Sequence, residues 1–260
     1  MIGIIGGSGL YEIEGITINE VRELSTPYGT PSDKYIIGQF SGKDIVFLPR
    51  HGSLHCIPPH KINYRANIQG FKDIGVKRLI SIGAAGGISP GMSPGTIVVP
   101  DQIIDMTKGR ESTFFEGQDG VIHIDLTEPY CNLMRSAILD AARNAKIEVK
   151  ESATYICVEG PRLETKAEIK YFSLIGADIV GMTAMPEAVL SREAEICYAG
   201  ISIVTNFAAG INEKRLTATE VVDMMKNRSQ QIKDILKELL KIIPIERNCS
   251  CSEALREAKI

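Results

Sequence analysis

The chain has no excess of positive charge. Its 29 lysines and arginines stand against 32 aspartates and glutamates, a net charge of −3 over 260 residues. A nucleic-acid binder is expected to show a basic stripe, so that class is set aside. A local anion pocket is not excluded, because a few placed donors need no global charge. No apolar run reaches the ~20 residues a membrane-spanning helix needs. The opening MIGIIGGSGL has no charged leading region and no cleavage pattern, so no signal peptide is expected and a cytoplasmic location is. Six cysteines are too sparse for a disulfide scaffold. No histidine lies near the Cys249-Ser250-Cys251 run, so no metal site is expected there. Internal repeats and low-complexity stretches are absent.

Short apolar runs rich in β-formers alternate with helical patterns. Strands are expected at Ile2–Ile5, Tyr35–Phe40, Asp44–Leu48, Arg78–Ile82, Gly95–Val99, Ala153–Val158, Ala177–Gly181 and Tyr198–Thr205. Helices are expected at Ile62–Asp73, Pro129–Ala145, Glu164–Ile175, Pro186–Glu195 and Ala218–Ile242. In the last of these, Val221, Met225, Ile232, Leu236, Leu239 and Ile243 fall near one face, Thr217 or Thr219 is placed to cap the start, and Pro244 ends the helix. The alternation predicts a single α/β domain over residues 1–246, with a mostly parallel or mixed central sheet flanked by helices. The polar tail, residues 247–260, reads as poorly ordered.

In open α/β sheets, ligands bind beyond the carboxyl ends of the strands. Five polar or glycine-rich clusters follow predicted strands: Gly6-Gly7-Ser8-Gly9, Arg50-His51-Gly52, Gly83 to Gly87, Met182-Thr183 and Asn206-Phe207-Ala208. A parallel sheet would bring all five to one crevice. Their chemistry is that of an anion site. Glycine turns let backbone N–H groups approach an anion, Ser8 and Thr183 add hydroxyls, Arg50 offers a planar fork suited to phosphate, and His51 is a further donor. A dinucleotide-binding dehydrogenase is disfavoured, because the first turn reads G-G-S-G rather than G-x-G-x-x-G. A non-catalytic nucleoside or phosphate sensor remains open.

At these residues the chain resembles the trimeric nucleoside phosphorylases, in particular their methylthioadenosine phosphorylase branch, over roughly residues 2–243. The matching stretches are IGIIGGSGL (2–10), TPYGTPSD (26–33), RHG…H (50–55), INYRANI (62–68), HIDLTEPYC (123–131), EGPRLET (159–165), VGMTAMPEA (180–188) and VTNFAAG (204–210). The resemblance implies transfer of a ribosyl group from a purine to inorganic phosphate, which is a co-substrate, with no metal or organic cofactor. It implies a phosphate site at Ser8, Arg50, His51, Gly83, Ala84 and Thr183, with Gly83 beside Ala84 where many relatives have a threonine. Met182 would meet the ribose. His123 would reach across a subunit boundary toward the 5′ end of the sugar, in a homotrimer or homohexamer. Cys131 and Cys197 match cysteines of some relatives, and the Cys-x-Cys tail is similar to that of heat-stable archaeal ones, which suggests bracing disulfides.

The departures from the branch pattern carry the substrate reading. Adenine-specific relatives have two aspartates flanking one residue where this chain has Asn206-Phe207-Ala208, and a serine where it has Glu164. Relatives acting on guanosine and inosine have a glutamate and an asparagine there. The chemistry agrees. A 6-oxopurine offers N1–H as donor and O6 as acceptor; a Glu164 carboxylate accepts from N1–H, and the Asn206 amide donates to O6 and N7. Asn206 and Glu164 are thus the expected catalytic and base-contacting residues, joined in the substrate site by Met182, Phe207, Ala208, Ala218 and His123. Ala218 stands where guanosine/inosine phosphorylases place a histidine for the 5′-hydroxyl, so 5′-methylthioinosine is an alternative substrate and methylthioadenosine another. A hydrolytic nucleosidase would leave Arg50 and His51 without a task.

Overall fold

The computed structural model describes residues 1–7, 15–117, 120–213, 217–244 and 246–260, and of Ala218 the backbone alone. Ser8 therefore lies outside the described residues, as does the Ala218 side chain. Ten strands form one mixed sheet: β1 Ile2–Gly6, β2 Thr17–Arg22, β3 Tyr35–Phe40, β4 Lys43–Pro49, β5 Arg78–Gly87, β6 Ile97–Val98, β7 Gln102–Met106, β8 Thr154–Val158, β9 Ile179–Gly181 and β10 Cys197–Phe207. Five α-helices accompany them: α1 Tyr64–Ile74, α2 Asn132–Asn144, α3 Lys166–Leu174, α4 Ala184–Glu193 and α5 Ala218–Ile242. The main path runs β2-β3-β4-β1-β5-β9-β8-β7, with β10 paired to β5 and β6.

The centre of the sheet is parallel. β1 pairs with β4 and β5, and β5 pairs with β10 from Arg78–Cys197 to Gly87–Phe207. All five residues of β1 are buried, as expected for a strand covered on both faces. On one side α2 and α5 close the core: Met134, Ile138, Ile232, Leu236 and Leu239 pack with Ile4, Ile80, Ala199 and Ile201. On the other, α1 and α4 bring Ile68, Phe71, Ala188 and Leu190 against Ile5, Val46, Leu79 and Val204. The apolar stripe expected on α5 is thus core at Met225, Ile232, Leu236 and Leu239. Its first turn is capped by the Thr217 hydroxyl, which accepts from the Glu220 N–H at 3.3 Å.

Several boundaries differ from the sequence expectation. Gly83 to Gly87 is not a turn after a strand but the second half of β5, extended and paired with β10. The absence of side chains permits this path, since a Cβ at Gly87 would lie 1.8 Å from the Met92 carbonyl oxygen. Asn206 and Phe207 likewise end β10 rather than follow it. Helix α3 begins at Lys166, because Thr165 and Glu168 form a reciprocal capping box just before it. The C-terminal segment is not loose. Arg247 donates to the Glu195 carbonyl at 2.7 Å, the Ile260 N–H to Val121 at 3.0 Å, and the Glu246 carbonyl accepts from Arg78 at 2.9 Å. Cys251 is buried in the main core. No helix among the described residues is long and apolar enough to cross a membrane.

Candidate functional site

The site forms where the sheet leaves an edge open. β1 pairs with β5 only as far as Gly6–Ile82, and β9 takes up the same edge only at Gly86–Val180. Between them, Gly83, Ala84 and Ala85 have β10 on one side and, among the described residues, no ladder partner on the other. Backbone polar groups left unpaired at such an edge need another partner. A cavity of about 530 Å³ lies against it, within the usual size of a small-molecule site. Its lining gathers the ends of β1, β4, β5, β9 and β10: Gly7, Arg50 with His51, Gly83 to Gly86, Met182 with Thr183, and Thr205 with Asn206. Each of the five predicted clusters therefore contributes at least one residue to one place, the first through Gly7 and the last through Asn206.

Arg50 is 1% exposed, and its charge is balanced inside the protein. Its Nε donates to Glu187 Oε1, and its Nη2 donates to Glu187 Oε2 at 3.1 Å and to Ser81 Oγ at 2.7 Å. Glu187 is 0% exposed, and its Oε2 also accepts from the Ser81 and Tyr198 hydroxyls, each at 3.1 Å. Burial opposes the guanidinium charge, but the Glu187 carboxylate more than offsets that penalty, so Arg50 remains a cation with a raised pKa. Arg50 lines the cavity, and its Nη1 donates to the Ile82 carbonyl at 3.1 Å. That nitrogen lies 2.8 Å from where a Cβ on Gly7 would stand and 3.9 Å from where one on Gly83 would stand. Thr183 Oγ1 is also 3.9 Å from that second point. The threonine hydroxyl makes no cap bond to α4, although Thr183 is its N-cap residue; it meets the Tyr155 hydroxyl, and Thr183 lines the cavity. Guanidinium, hydroxyl and open strand edge thus surround one small volume suited to an oxyanion.

His51 differs from its expected role as a donor. Its Nδ1 lies 2.8 Å from the Ile57 carbonyl, which can only accept, so Nδ1 carries the proton. Burial, then the neighbouring Arg50 charge, lowers its pKa to about 4. The ring is neutral near pH 7, and Nε2 is left as an acceptor, a match for a protonated phosphate oxygen rather than a bare one.

The opposite lining is suited to a flat polar ring. Thr205 Oγ1 donates to Asn206 Oδ1 at 2.8 Å, and Asn206 Nδ2 donates to the Phe207 carbonyl at 2.9 Å. Together these fix which end of the amide is which and leave the second Nδ2 hydrogen to donate. Glu164 precedes the α3 cap, and Thr165 and Glu168 already do the capping. Glu164 lines the cavity with Pro161, Leu163 and Val180, and its carboxyl accepts from its own backbone N–H. Burial raises its pKa above the ordinary carboxylate value.

The remaining expected residues divide. Met182 lines the cavity, and its backbone is held by Arg110, whose Nη1 donates to the Met182 carbonyl at 2.7 Å and to the Met185 carbonyl at 2.6 Å. Phe207 is half-buried and does not line the cavity. Ala208, expected in the substrate site, is a correction: just past the end of β10, it is 1% exposed, lies outside the cavity lining and packs with Ile88, Ile156 and Phe172 in a small satellite core. His123 is exposed and outside this cavity, on a segment whose backbone N–H donates to Ala258. Sequence reasoning missed Glu187, Arg110, the Cys56–Pro59 wall and Val221 of α5. A lone glutamate inside the apolar run AMPEAVL was the signal available for Glu187, since a buried carboxylate requires a cationic partner.

Comparison with known proteins places this arrangement. The sequence profile of the phosphorylase superfamily matches residues 1–241. The chain is 51% identical to a "probable S-methyl-5′-thioinosine phosphorylase" of Thermodesulfovibrio yellowstonii, over 99% of this chain and 96% of that one. It is 48% identical to a "probable 6-oxopurine nucleoside phosphorylase" of Thermococcus kodakarensis, over 99% and 98%. The solved structure of a methylthioadenosine phosphorylase from Schistosoma mansoni, in complex with adenine, superposes with a TM-score of 0.94 at 33% identity, covering 99% of this chain and 98% of that one.

Proposed function

The chain belongs to the phosphorylase superfamily, and from that premise we propose that it is a purine nucleoside phosphorylase acting on 6-oxopurine nucleosides, guanosine and inosine, in purine salvage. The observation that carries this reading is the Asn206 amide, whose Nδ2 is identified as the donor by the acceptor-only Phe207 carbonyl, in the same cavity as Glu164. That pair offers a donor for O6 and N7 and an acceptor for N1–H; adenine presents the opposite pattern at positions 1 and 6.

Phosphate is held by Arg50, the Thr183 hydroxyl and the strand edge at Gly83 and Ala84, with His51 accepting from a P–OH; Ser8, outside the described residues, is a further donor that the resemblance implies. A phosphate oxygen attacks C1′ as the C1′–N9 bond breaks, through an oxocarbenium-like transition state. The bonding pair leaves with the purine, whose negative charge gathers toward N7 and O6, where Asn206 donates. The products are free base and ribose 1-phosphate. Met182 borders the sugar. The enzyme is cytoplasmic and assembles as a homotrimer or homohexamer, in which His123 of a neighbouring chain completes the 5′ end of the site.

A second reading, 5′-methylthioinosine as substrate, rests on α5. It presents the apolar Val221 to the cavity, three residues on from Ala218, and an apolar 5′ pocket tolerates a thioether. The test follows ribose 1-phosphate and base from inosine, guanosine and methylthioinosine with and without phosphate. Stoichiometric sugar phosphate, with no turnover in phosphate-free buffer, is expected. Full turnover without phosphate would make the protein a hydrolase, and tight binding with no base release a sensor.

A further inference from the structure

Four sulfurs from three distant parts of the chain converge on one point. Cys131 is the N-cap of α2 and Cys197 opens β10; Cys249 and Cys251 flank Ser250 at the short 3-10 turn Ser250–Glu253. All four Sγ atoms lie within 4.8 Å of one another, and Cys197 and Cys249 stand 3.4 Å apart. Cys131, Cys197 and Cys251 are buried and Cys249 is half-buried. We propose that Cys131, Cys197, Cys249 and Cys251 form a closed tetrathiolate site for zinc that pins the C-terminal segment to the catalytic domain.

The geometry is what a central ion requires. With Zn–S bonds of about 2.3 Å, the sulfurs of a tetrahedral site are about 3.8 Å apart. Convergence of all four on a common centre serves a shared ligand; two separate disulfides would need only pairwise contact, each at about 2.05 Å. None of the six cysteines is bonded to another.

A second observation is electrostatic. Four thiolates around one Zn²⁺ carry a net charge of −2, which a buried site must offset. The buried Arg192 offsets half of it, its Nη1 donating to Cys251 Sγ at 3.5 Å while Nη2 donates to the Glu128 carbonyl. Such outer partners are usual around metal ligands. Loading the site releases the thiol protons to water and involves no oxidant. All four positions are filled by protein, so the ion would be structural. Cys197 is also nine residues before Asn206 on the same strand, ~30 Å away at the usual rise, and none of the four cysteines lines the catalytic cavity.

The full-length chain, purified without chelators or a histidine tag, is analysed for bound metal by plasma mass spectrometry. Its thiols are counted in denaturant with and without reductant, and the reduced, metal-stripped chain is titrated with Co²⁺. The expected results are about one zinc per chain, and one cobalt with thiolate charge-transfer and tetrahedral d–d bands. The Cys249→Ser/Cys251→Ser variant should lose both signals, melt at a lower temperature and keep its kcat at moderate temperature. A metal-free chain overturns the proposal, whether its four sulfurs become reactive only after reduction, as two disulfides would, or are free throughout. So does a reduced chain that takes up no cobalt.

Discussion

Replacing Asn206 by aspartate tests the base site at its most constrained atom. In the wild type, Oδ1 accepts from Thr205 at 2.8 Å and Nδ2 donates to Phe207 at 2.9 Å. An aspartate keeps the first bond but sets a carboxylate oxygen against the Phe207 carbonyl and removes the donor aimed at the base. One buried partner left unpaired costs about 1–3 kcal/mol, or roughly a 5- to 150-fold loss for inosine. The loss should fall mainly on kcat, because N7 and O6 gain charge only as the glycosidic bond breaks. Adenosine should gain, since its 6-amino group now finds an acceptor. Steady-state kinetics on both nucleosides, with melting curves to confirm an intact fold, decide the matter. Thr205→Val supplies the graded control: without its hydroxyl the amide keeps only the Phe207 bond, and a loss of about 5-fold is expected from one missing bond. An unchanged inosine rate in Asn206→Asp would refute the role given to this amide.

Three further outcomes follow. Glu187→Gln keeps the shape of the buried partner but removes the charge that orients Arg50; KM for phosphate should rise at least 10-fold while the KM for inosine moves little, and Glu187→Ala, which leaves Arg50 buried and unpaired, should cost about 3–5 kcal/mol in denaturant unfolding. Glu164 must be ionised to accept from N1–H, and burial raises its pKa; kcat/KM for inosine should therefore fall on the acid side at a higher pH than an ordinary carboxylate would give, and Glu164→Gln should flatten that limb at a lower plateau. His51 is held neutral in the fold with a pKa of about 4 against 6.5 unperturbed, so the unfolded chain binds the extra proton between those values and stability drops as pH falls from 6.5 toward 4, by an amount of order 3 kcal/mol. His51→Gln should show a shallower acid loss in chemical denaturation.

Much of the fold was legible because the central strands are doubly buried and read as apolar runs: β1, β4 and β10 lie where the sequence puts them. β2 was missed because Thr17–Arg22 is polar and five of its six residues are exposed, so no burial pattern marks it. β7, Gln102–Met106, has no fully buried residue and was missed for the same reason. The glycine run of β5 misled in the other direction. Its residues have no β-propensity and adopt the strand because neighbouring backbones and side chains need the room. At the site, the polar residues that end strands were readable one by one. What joins them was not. Glu187 behind Arg50, Thr205 behind Asn206 and Arg110 behind Met182 act through contacts between residues far apart in sequence or through side-chain direction, neither of which a local pattern carries. The convergence of Cys131 and Cys197 on the Cys-x-Cys tail is of the same kind, since it needs α2, β10 and the C-terminus in place together.

The most direct measurement is the release of free base from guanosine, inosine, methylthioinosine, adenosine and methylthioadenosine, each with and without phosphate. Phosphate-dependent cleavage confined to the three 6-oxopurine nucleosides is the predicted result, and the ratio of inosine to methylthioinosine names the better 5′ substituent. Efficient phosphorolysis of adenosine or methylthioadenosine would contradict the Glu164 and Asn206 assignment and make the protein a methylthioadenosine phosphorylase with an unusual base site.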